Sequence, residues 1–331
     1  MKYVTLSQTE LSVSRLCFGC WGIVSDQHWG DRDRALALEA IETALEAGIN
    51  FFDTAAMYGM GESERLLGKA LSGRRERAIV ASKLAADKMH PAEVPGACEQ
   101  SLRALGTDYL DLLQTHWTSR EVPLADTWEA LLRLQEQGKI RYAGVCNAGL
   151  ADLNSIASTR PPATNQVPYS LLWRMIEAEI LPYCRSRDIS VLAYSPLLHG
   201  LLADKYSSAD QVPSGRARTR HFASHRPLTR HGESGCEAET FAALDRIRAV
   251  CRGLGRKMAD VALAWCLQQP GVACVIAGAA SGEQVRCNLA SLEQPLPDDA
   301  LGQLNEVTQP LLVALGTNPD LWQAAANSRY H

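Results

Sequence analysis

The chain has 331 residues, of which 46% are hydrophobic and 21% charged, a balance typical of a globular protein with a large core. Its formal net charge of −4 excludes the general positive field that attracts nucleic acid. No apolar run reaches the roughly 20 residues that span a membrane, and Met1–Thr9 lacks the apolar stretch of a signal peptide. We therefore expect a cytoplasmic protein that binds neither nucleic acid nor a membrane.

The ten cysteines are scattered from Cys17 to Cys287, mostly in apolar runs. This placement is typical of reduced thiols in the core of a cytosolic protein. Cys17 and Cys20 form a CxxC pair, for which a redox or metal site is the alternative interpretation. Such a site needs further ligands or a helix that begins at Cys17, and Leu16–Gly19 instead has the pattern of a strand. The sequence therefore predicts no metal site.

From the N-terminus onward, Lys2–Ser14 is predicted to form a short hairpin, and short apolar runs then alternate with helical patterns. The alternation gives eight predicted strands. They are Leu16–Gly19, Ile49–Thr54, Ala78–Lys83, Leu110–His116, Tyr142–Asn147, Thr164–Val167, Ser190–Ser195 and Cys274–Gly278.

Helices are indicated by apolar residues on one face and by a glycine that ends the pattern. Leu38, Ile41 and Leu45 mark the first of these helices, which Gly48 ends. The later ones are marked by Leu102 and Leu105 before Gly106, by Trp128, Leu131, Leu132 and Leu134 before Gly138, and by Leu244, Ile247, Val250 and Leu254 before Gly255.

Eight strands with crossover helices predict a parallel sheet, either closed as a barrel or open and doubly wound. No GxGxxG follows the first strand, which disfavours the open dinucleotide-binding sheet. We predict an α/β fold: a single (β/α)8 TIM barrel with an N-terminal β-hairpin and a C-terminal extension, in one domain over residues 1–331. The barrel core spans about 16–292 and a tail spans 310–331. The polar segment Ser207–Cys236 is predicted as a long loop, which is usually functional or mobile.

Polar side chains end most of the predicted strands, where they are costly unless they pair. Because the active sites of such barrels lie at the C-terminal ends of the strands, we expect these side chains to converge. They are Asp53, Lys83, His116, Asn147, Gln166, Tyr194 and Ser195, with Tyr58 in the loop after Asp53.

This set can transfer a proton to or from a carbonyl oxygen. A phenol has a pKa of about 10, and a nearby lysine ammonium such as Lys83 favours the phenolate of Tyr58. Asp53 can hold Lys83 charged, and His116 can donate to the carbonyl oxygen. No residue of the set can supply a hydride, so a cofactor is required.

Several segments resemble, in order, the signatures of the aldo-keto reductase superfamily, from about Leu16 to Leu292. Within it the bacterial general-stress and channel-β-like branches are the most similar. The segments are Phe51–Gly59 with Gly61–Glu64, Asp108–Leu112 through His116, Gly138–Arg141 with Gly144–Asn147, Asn165–Gln166 with Tyr169–Leu171, Tyr194–Leu197 and Gly200–Leu202.

The resemblance implies an oxidoreductase that reduces an aldehyde or ketone, or oxidises the matching alcohol or sugar, with Tyr58 as general acid/base and Asp53, Lys83 and His116 completing a tetrad. It implies a substrate pocket of Trp21, Trp29, Tyr58, His116 and Trp117. Its implied cofactor site, with NADP(H) preferred and NAD(H) the alternative, consists of Cys20, Trp21, Asp53, Cys146, Asn147, Gln166, Tyr194, Ser195, Pro196, Leu197, Leu198, His199, Gly200, Lys205, Arg218 (preferred over Arg216), Gly278, Ala279, Ala280, Gln284 and Asn288.

Three positions depart from the family pattern. Cys146 stands where relatives usually carry serine, and a thiol is the weaker hydrogen-bond partner. Many relatives have proline at Ala277 and arginine at Ala280. Without that arginine a 2′-phosphate lacks one natural partner, which weakens the expected preference for NADP.

Several of these residues also have a purely structural interpretation. Asp53 and Lys83 could form a purely structural ion pair, and Gln284 and Asn288 a solvated helix face. His199 is predicted as a loop histidine with backbone contacts. Trp322 caps the barrel, packs on a partner subunit, or does neither.

Two other function classes compete with the enzyme. One is a cofactor-binding subunit that serves a partner protein, as channel β subunits do, and the other is a scaffold barrel without cofactor. The scaffold is disfavoured because, without a cofactor, the polar residues Asn147, Gln166 and Tyr194 would have no common ligand to bind. The sequence leaves the substrate, its physiological direction and the oligomeric state open.

Overall fold

We describe the chain from a computed structural model, which covers residues 1–157 and 159–331. Eight parallel strands close into a barrel in the order β10-β3-β4-β5-β6-β7-β8-β9. The strands are β1 Tyr3–Thr5, β2 Ser12–Ser14, β3 Leu16–Gly19, β4 Phe51–Asp53, β5 Ile79–Leu84, β6 Leu110–Thr115, β7 Ile140–Cys146, β8 Thr164–Pro168, β9 Ser190–Tyr194 and β10 Val272–Gly278. The predicted α/β barrel is therefore confirmed.

Helices surround the barrel and follow its strands in the chain. They are α1 Arg34–Glu46, α2 Glu62–Ala70, α3 Val94–Leu105, α4 Leu124–Glu136, α5 Leu150–Ala157, α6 Ile180–Ser186, α7 Glu237–Leu254, α8 Met258–Gln268, α9 Gly282–Ala290 and α10 Asp298–Leu315. The predicted stop signals are confirmed, since Gly106 and Gly255 follow α3 and α7 in the left-handed conformation that glycine tolerates.

The barrel departs from a strict strand–helix alternation between β9 and β10, where α7 and α8 both occur. Predicted strand bounds shift by up to two residues. Two-residue shifts occur in the second, fifth and eighth barrel strands, where Phe51–Asp53 replaces Ile49–Thr54, Ile140–Cys146 replaces Tyr142–Asn147 and Val272–Gly278 replaces Cys274–Gly278. Apolar runs continue into the loops that flank a buried strand, so hydrophobicity alone does not mark where strand pairing ends.

The predicted N-terminal hairpin is confirmed as β1 and β2, which pair antiparallel. Leu6, Leu11 and Val13 of the hairpin pack in one cluster with the barrel strand residues Phe51 and Leu192. The hairpin therefore covers the N-terminal end of the barrel, and the C-terminal ends of the strands remain as the place for a site.

The predicted tail 310–331 begins inside a helix, because Pro310 lies within α10, and the segment after this helix starts at Gly316. The helix continues through the proline because Leu304, Leu311 and Leu315 are buried on one face, and such packing outweighs a missing backbone donor.

The segment Ser207–Cys236 is confirmed as a long loop, with one short 3-10 turn at Ala209–Gln211. It is packed rather than loose, because Arg220, His221 and Phe222 are buried. Arg220 donates to the carbonyl oxygens of Leu315 and Asn318, which ties the loop to the tail. In the part of the chain that the structure describes, no helix is long and apolar enough to cross a membrane.

Candidate active site

A buried ion pair lies at the C-terminal ends of β4 and β5. Lys83 Nζ donates to Asp53 Oδ2 at 2.6 Å and to the Thr54 carbonyl oxygen at 2.9 Å, and both charged side chains are at most 4% exposed. Gln166 Nε2 donates to the other Asp53 oxygen at 2.7 Å. Both carboxylate oxygens are thus satisfied, which is what makes a buried charge pair tolerable.

The same ammonium reaches the hydroxyl of Tyr58, at 3.2 Å. Burial raises the pKa of Tyr58 to about 12, although Lys83 acts in the opposite direction, as predicted. The predicted effect of Lys83 is therefore present, but desolvation of the phenolate outweighs it in the net shift of the Tyr58 pKa. Burial alone would lower the pKa of Lys83, but Asp53 and Tyr58 raise it, so the ammonium stays charged.

His116 faces Tyr58 from the end of β6. The two ring centroids are 5.6 Å apart, with planes inclined at 81°. Burial and the nearby Lys83 lower the pKa of His116 to about 3, so the imidazole is neutral at physiological pH. Its Nδ1 is buried and has no hydrogen-bond partner in residues 1–157 and 159–331. The phenol of Tyr58 and the neutral imidazole of His116 therefore face the same region of the site.

Three amide and hydroxyl groups converge beside this pair, at the ends of β7, β8 and β9. Asn147 adopts a left-handed conformation with φ of 56°, which asparagine tolerates. Its Nδ2 donates to the His116 carbonyl oxygen at 3.0 Å, and its Oδ1 accepts from Tyr194 at 2.9 Å. The Asn147 backbone N–H donates to the Gln166 carbonyl oxygen at 2.9 Å. The predicted grouping of these three residues is therefore present.

The loop after β9 turns sharply through left-handed residues. Ser195, Leu198, His199 and Gly200 all have positive φ values, between 38° and 98°, and the Leu198 and Gly200 N–H groups donate to carbonyl oxygens of the same loop. Pro196 and Leu197 complete the turn.

Two basic side chains flank this loop at Gly200. A Cβ placed at Gly200 would lie 3.7 Å from Arg216 Nη1 and from Lys205 Cδ. The geometry therefore brings Arg216 beside the loop, although the sequence favoured Arg218.

Arg218 lies between two tryptophan rings, 5.5 Å from the centroid of Trp21 and 4.1 Å from that of Trp322. In the described part of the chain it has no salt bridge. Burial lowers the pKa of Arg218 to about 10, so the guanidinium is still charged at pH 7. A desolvated cation without a carboxylate partner is suited to a bound anion.

The end of β10 holds the segment predicted for the adenosine end of a cofactor. Gln284 Oε1 accepts from the Ala280 backbone N–H at 2.8 Å, and Asn288 Nδ2 donates to the Gly278 carbonyl oxygen at 3.3 Å. The two side chains brace the turn around Ala279. Asn288 is buried, so the alternative of a solvated face is wrong at that position.

The sequence profile of the Aldo/keto reductase family matches residues 15–309. The chain belongs to the aldo-keto reductase family. It is therefore an oxidoreductase. A relative from Escherichia coli (strain K12), the NADH-specific methylglyoxal reductase, is 31% identical over 94% of this chain and 99% of its own length.

Solved structures agree with the assignment to this family. An aldo-keto reductase from Klebsiella pneumoniae in complex with NADPH has 30% sequence identity and a TM-score of 0.72, covering 93% of this chain and 96% of its own. A glycerol dehydrogenase from Gluconobacter oxydans has 29% identity and a TM-score of 0.79, covering 96% and 97%.

Aromatic rings line the mouth of this aldo-keto reductase. Trp21 stacks on Tyr58 with centroids 5.9 Å apart and planes at 18°, and Trp29 contacts Trp21 edge-on at 5.3 Å. Asp26 accepts from Trp21 Nε1 at 2.9 Å and fixes the indole. Trp117, the third predicted wall, packs edge-on against Tyr330 of the C-terminal tail, with ring centroids 6.1 Å apart.

The interpretation of His199 as a loop histidine with backbone contacts is wrong, and one alternative for Trp322 is confirmed. His199 is buried among the aromatic rings of Trp21, Trp29 and Trp322 instead of contacting the backbone, and burial lowers its pKa. Trp322 stacks on it at 5.2 Å and 25°, so this residue caps the barrel. Histidine on a loop carries no sequence signal for such burial.

Two further site residues, at the end of the chain, were not indicated by the sequence. The hydroxyl of Tyr330 donates to Asn147 Oδ1 at 2.9 Å, and Arg329 lies 3.4 Å from the ring centroid of Trp117. The available signal was an arginine and an aromatic residue at the extreme terminus. A tail outside the repeating units has no periodicity that could locate it, so the sequence could not assign these residues.

The CxxC cysteines of this aldo-keto reductase are buried free thiols. Burial raises the pKa of Cys17 and of Cys20, which keeps both protonated and disfavours a redox role. Cys146, beside Asn147, is likewise buried with a raised thiol pKa. Across residues 1–157 and 159–331, no group of three His, Cys, Asp or Glu side chains could hold a metal ion.

Proposed function

We propose that this chain is an NAD(P)H-dependent reductase of an aldehyde or ketone, or a dehydrogenase of the matching alcohol or sugar, with Tyr58 as the general acid/base. One observation carries the proposal: Lys83 Nζ contacts both Asp53 Oδ2, at 2.6 Å, and the Tyr58 hydroxyl, at 3.2 Å, opposite a neutral His116. A phenol that shares a buried ammonium with a carboxylate is equipped to release and regain a proton.

The residues around the tetrad fit a nicotinamide dinucleotide. Asn147 and Gln166 place side-chain amides next to Tyr194 where the carboxamide is expected, although the Asn147 oxygen accepts from the Tyr194 and Tyr330 hydroxyls. The left-handed loop Ser195–Gly200, with Lys205, Arg216 and Arg218, suits the pyrophosphate. The turn Gly278–Ala280 suits the adenosine end. When bound, the nicotinamide supplies or accepts the hydride.

The protein's own groups then manage the proton and the charge. In reduction, Tyr58 donates its hydroxyl proton to the carbonyl oxygen, and Lys83 stabilises the phenolate that forms. In oxidation the same phenolate takes the alcohol proton. The neutral imidazole of His116 donates one N–H to the substrate oxygen and so fixes its position near Tyr58. Trp21, Trp29 and Trp117 exclude water from the pocket.

Asp53 acts through Lys83 and Gln166 rather than on the substrate. Its two carboxylate oxygens hold both side chains in place. We also infer that the chain works as one domain, since hairpin and tail both pack on the barrel.

We predict that the protein binds NADPH about tenfold more tightly than NADH. One bidentate arginine–phosphate contact contributes about 1.5–3 kcal/mol, or roughly 10–150-fold in affinity. Position 280 is an alanine, so an arginine of the long loop must supply the charge. Arg220 is bonded to Glu233, which leaves its neighbours Arg216 and Arg218. Ala280→Arg is expected to widen the preference. Titration of both cofactors by tryptophan fluorescence measures it, and equal or tighter NADH binding would contradict the prediction.

Activity is tested with a panel of carbonyls, alcohols and sugars, each assayed with NADPH, NADH and the oxidised cofactors. Turnover of at least one aldehyde, ketone or alcohol is expected. Tight cofactor binding with no turnover across the panel would instead favour the cofactor-binding subunit.

A further inference from the structure

Tyr330, in the C-terminal tail, contacts Asn147, a residue that we assign to the nicotinamide site. The Tyr330 hydroxyl donates to Asn147 Oδ1 at 2.9 Å, and its ring packs edge-on against Trp117 at 6.1 Å. The carbonyl oxygen of His331 accepts from the backbone N–H groups of Ala151, at 3.0 Å, and Asp152, at 3.2 Å. The terminus is therefore held at the first turn of α5 rather than free in solvent.

The position of His331 depends on the absence of a side chain at Gly149. A Cβ at this position would lie 2.1 Å from the His331 carbonyl oxygen, so any side chain would displace the terminus. Asp152 Oδ2 accepts from the backbone N–H groups of both Gly149 and His331, each at 3.2 Å. The backbone of His331 thus packs into a site formed by Gly149 and Asp152.

A buried carboxylate shapes the tail before it reaches this place. Asp320 is 0% exposed and accepts from the Arg329 guanidinium in two bonds, at 2.9 and 2.8 Å. It also accepts from the backbone N–H groups of Trp322 and Gln323. Residues 320–329 are therefore a closed lobe, and the position of Tyr330 follows from it.

Asn147 has no free acceptor site for a further donor. An amide oxygen has two lone pairs, and Asn147 Oδ1 already accepts from Tyr194 and from Tyr330, each at 2.9 Å. Its Nδ2 donates to the His116 carbonyl oxygen, which prevents the amide from turning. A carboxamide N–H that binds Oδ1 must therefore replace one of the two hydroxyls.

The two hydroxyls are not equally easy to replace. Tyr194 ends β9, which pairs with β8 and β10 in the closed barrel. Tyr330 lies in the segment after α10, where the described chain forms one 3-10 turn, Ala325–Asn327, and no strand. A segment outside the sheet opens at lower free energy than a barrel strand.

We propose that Tyr330 is an internal competitor of the nicotinamide carboxamide for Asn147, so that the C-terminal tail sets cofactor affinity and leaves its seat when the cofactor binds. The inference rests on the proposed function, because it takes Asn147 as a carboxamide partner. Apparent affinity falls by the fraction of molecules whose site is open, so loosening the tail tightens binding.

The test compares dissociation constants of NADPH and NADH, measured by tryptophan fluorescence, for the wild type and Tyr330→Phe. The substitution removes one hydrogen bond and keeps the ring, so we expect about fivefold tighter binding. Tyr183→Phe is the matched control, since the Tyr183 hydroxyl donates to Asn154 Oδ1 at 2.7 Å on the exposed side of α6. Its dissociation constants should equal those of the wild type.

A second readout follows the tail itself. The backbone N–H groups of residues 329–331 should exchange hydrogen faster in the wild type when NADPH is present than when it is absent, while Tyr330→Phe should exchange quickly in both states. Slower exchange with NADPH, or unchanged or weaker NADPH binding by Tyr330→Phe, would overturn the competition. If neither cofactor binds the wild type or Tyr183→Phe, the proposed function itself fails.

Discussion

Tyr58→Phe is expected to lower kcat by about 10²- to 10⁴-fold, the usual contribution of a general acid/base, while cofactor affinity changes little. The substitution removes the transferred proton and almost no volume. The phenylalanine ring would keep the stacking on Trp21, which lies 5.9 Å from the ring of Tyr58 with nearly parallel planes. Steady-state kinetics on any turned-over carbonyl, together with NADPH titration, provides the measurement.

A matched control is Tyr3→Phe, because the Tyr3 hydroxyl donates to the Gly48 carbonyl oxygen at the opposite end of the barrel. Its kcat should equal that of the wild type. A Tyr58→Phe enzyme that keeps more than about a tenth of wild-type kcat would exclude Tyr58 as the general acid/base.

Lys83→Met is expected to have the second-largest effect, on both stability and pH dependence. It leaves Asp53 buried without its cation, which typically costs about 3–5 kcal/mol in the free energy of unfolding. Alcohol oxidation requires the phenolate of Tyr58, so its rate rises with pH toward the pKa of that group. Lys83 lowers this pKa against burial, so its loss should move the rise in rate to higher pH.

Urea unfolding and the pH–rate profile of the residual activity measure the two effects. Lys139→Met is the control, since Lys139 pairs with Glu99 in an exposed salt bridge at 2.9 Å. A Lys83→Met profile that rises at the same pH as the wild type would show that Lys83 does not act on Tyr58. Loss of stability alone would then leave a structural ion pair as its role.

The barrel and the convergence of its polar residues were predictable because both follow from repeated local patterns. Apolar runs located all eight barrel strands, and parallel pairing brought Asp53, Lys83 and Gln166 to one end of the sheet. The net pKa shift of Tyr58 was not predictable in this way. It depends on how completely the neighbours exclude water, and the sequence does not state this quantity.

The part of the site that the sequence missed comes from contacts distant in the chain. Tyr330 contacts Asn147 across 183 positions, and the fold of the long loop places Arg216, the alternative to Arg218, beside Gly200. Neither contact belongs to a repeating unit. Hydrophobic periodicity and turn signals describe local structure, so they could not place a tail or a loop over the mouth of the barrel.

Hydride transfer itself is the most direct test of the proposed function. An aldehyde that the protein reduces is incubated with the protein and NADPH that carries deuterium at C4 of the nicotinamide. Two cofactors are compared, each deuterated on one of the two faces of the ring. We expect the product alcohol to gain one deuterium from one of the two cofactors, as read by mass spectrometry, and Tyr58→Phe to form almost none. Alcohol without deuterium from either cofactor would contradict hydride transfer from the nicotinamide, and with it the function proposed for this site.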